Sequence, residues 1–375
     1  MTGQTFSIES RRQAWHDQLI QISSQPLKHC QAFPEIARRW EGWWNGTSEQ
    51  PLILSQLSTD ADIRWDKAFD LLDRPDEWLR VRRRQVEETV HFGEALPSVR
   101  VDFGPVALAA YLGTPLHFAG EEQTTWQDTI IQSWDAPISI EVDWDNRWLK
   151  QTLEFLDILA QDAQGNYLVC LPDLTGAIDA IANMRGPADL CFDLFENREV
   201  IIATAKRVVD AWETIFTRAY DTILARGAGP IQWVTSWSDT SYTLPTCDFN
   251  ALIGPIDFRE ICLPALADQA RRAGRCVFHL DGPDAARHAK ALGEDPDITA
   301  VQFTPGAGTP SALAQLAMFQ MLQEHGKSLF LEVEAHEIRE LATQLNPKLV
   351  AYRVSDLKTA SEAEDLVAWR DATFS

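Results

Sequence analysis

From about residue 97 to its end the chain repeats one rhythm, and that rhythm decides most of what it can fold into. Short apolar runs at 167–171, 231–234, 276–280, 300–303, 328–333 and 349–354 read as strands. Longer amphipathic segments at 176–186, 188–195, 198–226, 256–273, 283–292, 310–325, 335–345 and 359–371 read as helices. Runs that are apolar throughout, rather than at every second residue, suit strands buried on both faces, and such strands belong to parallel sheets. The number of units and the length of 375 residues predict an α/β fold of the (β/α)8 TIM-barrel type over residues 96–375, in preference to a doubly wound sheet. Residues 1–95 read as an N-terminal helical extension. The Arg- and Glu-rich stretch 75–92 suits a solvated helix face. Within the extension, Trp40-Glu41-Gly42-Trp43-Trp44-Asn45-Gly46 and Pro51-Leu52-Ile53-Leu54 predict an aromatic turn followed by a strand.

Charge and cysteine usage narrow the partners. Lys and Arg number 33 against 55 Asp and Glu, a net charge of −22. Such a surface repels phosphate backbones and anionic membranes, so neither a nucleic acid nor a membrane partner is expected. The six cysteines, Cys30, Cys170, Cys191, Cys247, Cys262 and Cys276, form no CxxC pair and predict neither disulfides nor a zinc finger. The N-terminus lacks an apolar signal core and no stretch reaches membrane-spanning length, which predicts a cytoplasmic location. The 14 tryptophans read as core fillers whose indole N–H groups need partners. Thr304-Pro305-Gly306-Ala307-Gly308 has two glycines but no Lys, and it is not read as a nucleotide site.

Barrel enzymes work at the C-terminal ends of their strands, and here polar residues recur at those ends. His279 and Asp281 end the 276–280 run, stopped by Gly282-Pro283. Two apart on a strand, they share a face. Histidine is the side-chain type suited to acid–base work at neutral pH, so the pair is the expected catalytic set. Asp173, Arg185, Gln302, Glu332 and Arg353 are the expected substrate contacts, with Arg353 or Arg185 suited to a carboxylate. His279, Asp281 and Glu332 together offer imidazole and carboxylate donors to a divalent metal such as zinc, while no organic cofactor is indicated. Bland alternatives stand beside these. His279 reads equally as a core histidine bonded to backbone, Asp281 as a turn residue or helix N-cap, and Cys247 as a structural thiol.

An ordered series of segments resembles the uroporphyrinogen decarboxylase superfamily, which also contains corrinoid-dependent and coenzyme M methyltransferases. They are Phe103-Gly104-Pro105 with Ala109-Ala110-Tyr111-Leu112-Gly113; Leu171-Pro172-Asp173-Leu174-Thr175-Gly176 with Met184-Arg185-Gly186; Cys247-Asp248-Phe249; Leu263-Pro264-Ala265-Leu266; Phe278-His279-Leu280-Asp281-Gly282; and Gln302-Phe303-Thr304-Pro305-Gly306-Ala307-Gly308. The resemblance runs from about residue 40 to the C-terminus and implies a (β/α)8 barrel with an N-terminal helical extension. The Arg-rich carboxylate grip of the decarboxylases has no counterpart here. Where the methyltransferases carry His-x-Cys and a later Cys, this chain has His279-x-Asp281 and no cysteine after Cys276. The resemblance implies a decarboxylase-like lyase acting on a carboxylated or tetrapyrrole-like small molecule. The alternative it implies is a metal-assisted methyltransferase with a corrinoid protein as partner. A homodimer is compatible with either.

Overall fold

The computed structural model describes residues 8–58, 71–101, 103–119, 124–135, 138–306 and 311–374; Ala307 and Gly308 of the two-glycine segment lie outside them. Twelve strands are present among the described residues: β1 (Leu52–Ser58), β2 (Thr89–Gly93), β3 (Ser98–Arg100), β4 (Leu116–Ala119), β5 (Thr124–Gln127), β6 (Leu168–Cys170), β7 (Pro230–Ile231), β8 (Tyr242–Thr243), β9 (Arg275–Asp281), β10 (Ala300–Thr304), β11 (Ser328–Val333) and β12 (Val350–Val354). Seven form one sheet in the order β2-β1-β12-β11-β10-β9-β8, three form a second in the order β3-β6-β7, and β4-β5 is a separate hairpin. All pairings are parallel except β1–β2 and β4–β5. The fold is therefore mixed α/β with a mostly parallel central sheet. Among the described residues no strand pairing joins β7 to β8 or β1 to β3.

The strands that read as continuously apolar are buried on both faces, as that pattern requires. In β11 and β12 a single residue of each strand, Glu332 and Arg353, stays half-exposed; in β10 it is the terminal Thr304. In β9 the half-exposed positions are Arg275 and His279, and Asp281 at the strand end is exposed. Apart from Arg275 at the start of β9, breaks in burial thus fall on polar residues toward the C-terminal ends of adjacent strands.

Three features differ from the sequence expectation. The boundary at residue 95 does not mark the start of the sheet: β1 pairs in parallel with β12 and antiparallel with β2. The aromatic segment 40–46 is helical through Trp44, the end of the helix Phe33–Trp44, and only Asn45-Gly46 form the turn. Its indole N–H groups find carbonyl partners, Trp40 on Glu94 (3.2 Å), Trp43 on Leu329 (3.1 Å) and Trp44 on Trp237 (2.7 Å), which fasten this helix to the sheet. The run 231–234 does not continue as a strand beyond Ile231. Gln232 instead donates from its backbone N to Tyr242 Oη and from Nε2 to Tyr242 O, both at 2.9 Å, bridging the end of β7 to β8. Thr235 then adopts φ 60°, a left-handed conformation that β-branched residues rarely hold unless the surroundings impose it.

The N- and C-terminal segments meet on one buried charge. Glu94, fully buried, accepts from Arg39 Nη1 (2.6 Å), Arg370 Nη1 (2.5 Å) and the backbone N of Ile53 (2.8 Å). Arg370, 1% exposed, comes from the helix Ala360–Phe374. One carboxylate so links the helix Phe33–Trp44, strand β1 and the last helix.

Candidate metal centre at the strand ends

A line of side-chain contacts crosses the C-terminal ends of β9 to β12. His279 Nδ1 meets Gln302 Oε1. Gln302 Nε2 donates to Thr304 Oγ1 (2.7 Å) and to Glu332 Oε1 (3.2 Å), and Arg353 Nη1 donates to the same Glu332 oxygen (3.3 Å). The parallel register sets Gln302 opposite His279 and Glu332 opposite Arg353. Because both Gln302 amide hydrogens face acceptors, its Oε1 is turned to His279. That fixes the imidazole as the Nδ1–H tautomer and leaves Nε2 a lone pair for a ligand. Trp233 packs edge-on against the same ring at 5.2 Å. Arg353 lies over the Phe330 ring at 5.0 Å, and burial holds its pKa below the ordinary value, with Glu332 opposing.

Asp281 occupies the N-cap position of the short helix Gly282–Ala285, but its side chain makes no capping hydrogen bond. Donor atoms of Asp248, His279 and Asp281 all lie within 4.8 Å of one another. One nitrogen and two carboxylates at that spacing fit a divalent ion of borderline character such as zinc, with coordination positions left over for substrate. The expected third ligand was Glu332; its carboxylate is instead turned to Gln302 and Arg353, and Asp248 supplies the third donor.

Asp248 follows β8 where a loop runs into the short 3-10 helix Asp248–Leu252, a segment that the sequence rhythm says nothing about. The loop is held by Asp179, 7% exposed, on the helix Ala177–Arg185. Its carboxylate accepts from Thr175 Oγ1 (3.1 Å), Thr246 Oγ1 (2.8 Å), Asp248 N (2.9 Å) and Phe249 N (3.0 Å). Gly176 permits the close approach, since a Cβ there would meet Thr246 O at 2.2 Å. Cys247 is turned inward; a hydrogen bond to Cys262, with burial, raises its thiol pKa well above normal, as befits a structural thiol.

Asp248 is open to solvent on one side but ringed by protein. That desolvation, joined by the charges of Asp179 and Asp281 and opposed by His279, pushes its carboxyl up to about 6. A carboxyl raised in the fold favours the folded state fully below the unfolded value near 3.8, and that contribution is lost as pH rises through about 6. Metal-free protein is therefore expected to lose stability over this window, and Asp248→Asn to flatten the loss. Thermal unfolding at stepped pH checks this; an unchanged slope in the variant would count against the crowded carboxylate. A second expectation follows from the tautomer. Gln302→Leu should weaken divalent-metal binding about 10- to 100-fold, the usual effect of losing a ligand's hydrogen-bond partner. Calorimetric metal titration reads this directly.

The remaining expected site residues disperse. Arg185 donates to Asp193 (2.7 Å) and to the carbonyls of Ile131 (3.2 Å) and Gln132 (3.0 Å), so its guanidinium ties the end of its helix to the following helix and to the irregular segment at 131–132. Asp173 is half-buried on the loop after β6. Arg353 borders a recess of about 480 Å³ that Arg82, Arg100, Trp233 and Thr235 also line. Asp248 and this recess are what sequence reasoning missed; the segment Cys247-Asp248-Phe249 was the available signal for the first.

No protein-family model matches the chain, and no curated protein matches it in sequence. Eighteen chains of solved structures match its fold. One, a methyltransferase from Methanosarcina mazei, superposes with a TM-score of 0.55 over 91% of this chain and 99% of its own, at 10% sequence identity. At that identity the likeness speaks to fold alone.

Proposed function

We propose that the chain is a metal-dependent methyltransferase built on a (β/α)8 barrel. The observation that carries the reading is the Asp248–His279–Asp281 cluster at the strand ends, with its imidazole tautomer set by Gln302. The fold likeness to a methyltransferase favours transfer over the decarboxylase-like lyase, which has no comparable support. In the barrel reading, β7 and β8 are two pieces of one broken strand, β1 neighbours β3, and the residues before β1 form the helical extension.

A divalent ion held by the three donors would supply Lewis acidity that lowers the pKa of the nucleophile receiving the methyl group. The protein's own residues do the rest. His279 presents Nε2 because Gln302 holds Nδ1–H. Asp248 is kept in reach by Asp179. Trp233 shields one side of the imidazole from water. The methyl donor in this reading is a protein-bound corrinoid, the acceptor a small molecule, and the working form a homodimer. A cytoplasmic setting fits the six cysteines, all free; no helix among the described residues is long and apolar enough to cross a membrane.

The test is demethylation of methylcobalamin by the purified chain with thiol and hydroxyl acceptors, before and after chelation. Turnover that disappears with chelator and returns with zinc or cobalt supports the reading. Turnover indifferent to chelation, or carbon dioxide release from uroporphyrinogen in its place, would sink it.

A further inference from the structure

The contact line across β9 to β12 has a direction, and the chemistry of its members decides which way it runs. A guanidinium only donates hydrogen bonds, an ionised carboxylate only accepts them, and a primary amide or a hydroxyl does both. Arg353 Nη1 donates to Glu332 Oε1 (3.3 Å), and Gln302 Nε2 donates to the same oxygen (3.2 Å). The fully buried Gln302 amide also meets Thr304 Oγ1 (2.7 Å) and His279 Nδ1. Thr304 tolerates either orientation of that amide, because its hydroxyl can turn to give or to take. The neutral imidazole tolerates either as well, by changing tautomer. Glu332 tolerates one: it accepts from Nε2 and has no hydrogen to offer Oε1.

The far end of the line is braced in turn. Arg353 Nη2 donates to Trp233 O and to Thr235 Oγ1, both at 3.4 Å. Thr235 holds φ 60°, a costly conformation for a β-branched residue and one that gathers at functional sites. The ring of Trp233 packs edge-on against His279. One turn therefore touches both ends of the line, the guanidinium and the imidazole.

We propose that Glu332 and Arg353 are positioning residues that set the tautomer of His279 without touching its ring. Arg353 holds the Glu332 carboxylate in place. Glu332 orients the Gln302 amide, whose Oε1 then draws the imidazole hydrogen to Nδ1 and leaves the Nε2 lone pair bare. Free histidine in water favours the opposite tautomer, with its hydrogen on Nε2. Without the pair, the nitrogen that faces a metal would be blocked more often than open. This assignment rests on the metal-centre reading only for what Nε2 then binds.

The experiment is heteronuclear NMR of the histidine ring nitrogens in the full chain, freed of metal, at a pH where imidazole is neutral. Comparison with His279→Ala assigns the signals. The expected result for His279 is a pyrrole-type nitrogen at Nδ1 and a pyridine-type nitrogen at Nε2. Glu332→Gln should keep both, because Arg353 can hold the new amide's oxygen where the carboxylate oxygen was. Glu332→Met should bring His279 to the Nε2–H tautomer or to a mixture. It should also weaken zinc binding about 10-fold, the low end of the range for losing a ligand's outer partner. Should that variant fail to fold by circular dichroism, Glu332→Met with Arg353→Met, which strands no charge, carries the test. A natural chain with its hydrogen on Nε2, or Nδ1–H retained in both methionine variants, would overturn the proposal. A tautomer that shifts as expected in a chain that binds no zinc would support this assignment and sink the metal reading, so the two fail separately.

Discussion

Replacing His279 with alanine is expected to weaken divalent-metal binding by more than about 100-fold, beyond the range for losing a mere hydrogen-bond partner of a ligand, and to abolish methyl transfer. The physical reason is the donor set. Asp248 and Asp281 can offer only oxygen, and His279 is the one nitrogen in the cluster. Without it, two carboxylates face each other with no cation-preferring imidazole between them. The fold should survive. His279 is half-exposed, and the variant leaves Gln302 Oε1 without its donor, a loss on the order of 1–3 kcal/mol in a strand otherwise untouched. Added imidazole should restore part of the binding by refilling the space. A variant that binds metal within about threefold of the natural chain would remove the cluster from consideration.

The largest effect on stability is expected far from that site. Glu94→Gln preserves volume but removes the buried one of two carboxylates that face Arg370, which is 1% exposed; the other, Asp371, lies largely in solvent. Breaking a buried ion pair from one side costs about 3–5 kcal/mol, because the surviving charge stays desolvated. That is a large share of the ~5–15 kcal/mol by which most domains are stable. Glu94 also accepts from Arg39 and from the backbone of β1, so the loss should loosen the first strand, the helix Phe33–Trp44 and the last helix together. Replacing Arg370 with methionine in the same variant should return much of the stability, since the stranded charge is gone. Urea unfolding of the single and double variants decides this. A single variant within about 1 kcal/mol of the natural chain would mean the arginines find other partners.

Much of the sheet was legible because its strands are buried on both faces. The runs at 276–280, 300–303, 328–333 and 349–354 could be placed within a residue or two of β9 to β12, since continuous apolar runs closed by turn residues carry an unambiguous signal. His279, Gln302, Glu332 and Arg353 could be read at one end for the same reason, and the structure joins them in one chain of contacts. What could not be read depends on tertiary contacts. Nothing in periodicity places Asp248, 31 residues before His279, beside it; Asp179 and the missing Cβ of Gly176 bring that loop in. The run 231–234 has the composition of a strand, yet Gln232 is taken up by Tyr242 and the chain turns at Thr235. The aromatic segment 40–46 reads as a turn throughout, but burial of Trp40 and Trp43 extends the helix to Trp44 and leaves only Asn45-Gly46 as the turn. Arg185, expected as a substrate contact, ends a helix and pairs with Asp193, a partner that periodicity does not point to.

The measurement that bears most directly on the central claim is metal content by elemental analysis after zinc-replete growth and dialysis, on the natural chain and on three variants. The account predicts one divalent ion per chain, absent from His279→Ala and Asp248→Asn but retained by Glu332→Gln, whose carboxylate faces Gln302 and Arg353. A natural chain without stoichiometric metal, or an ion kept by Asp248→Asn and lost by Glu332→Gln, would contradict it.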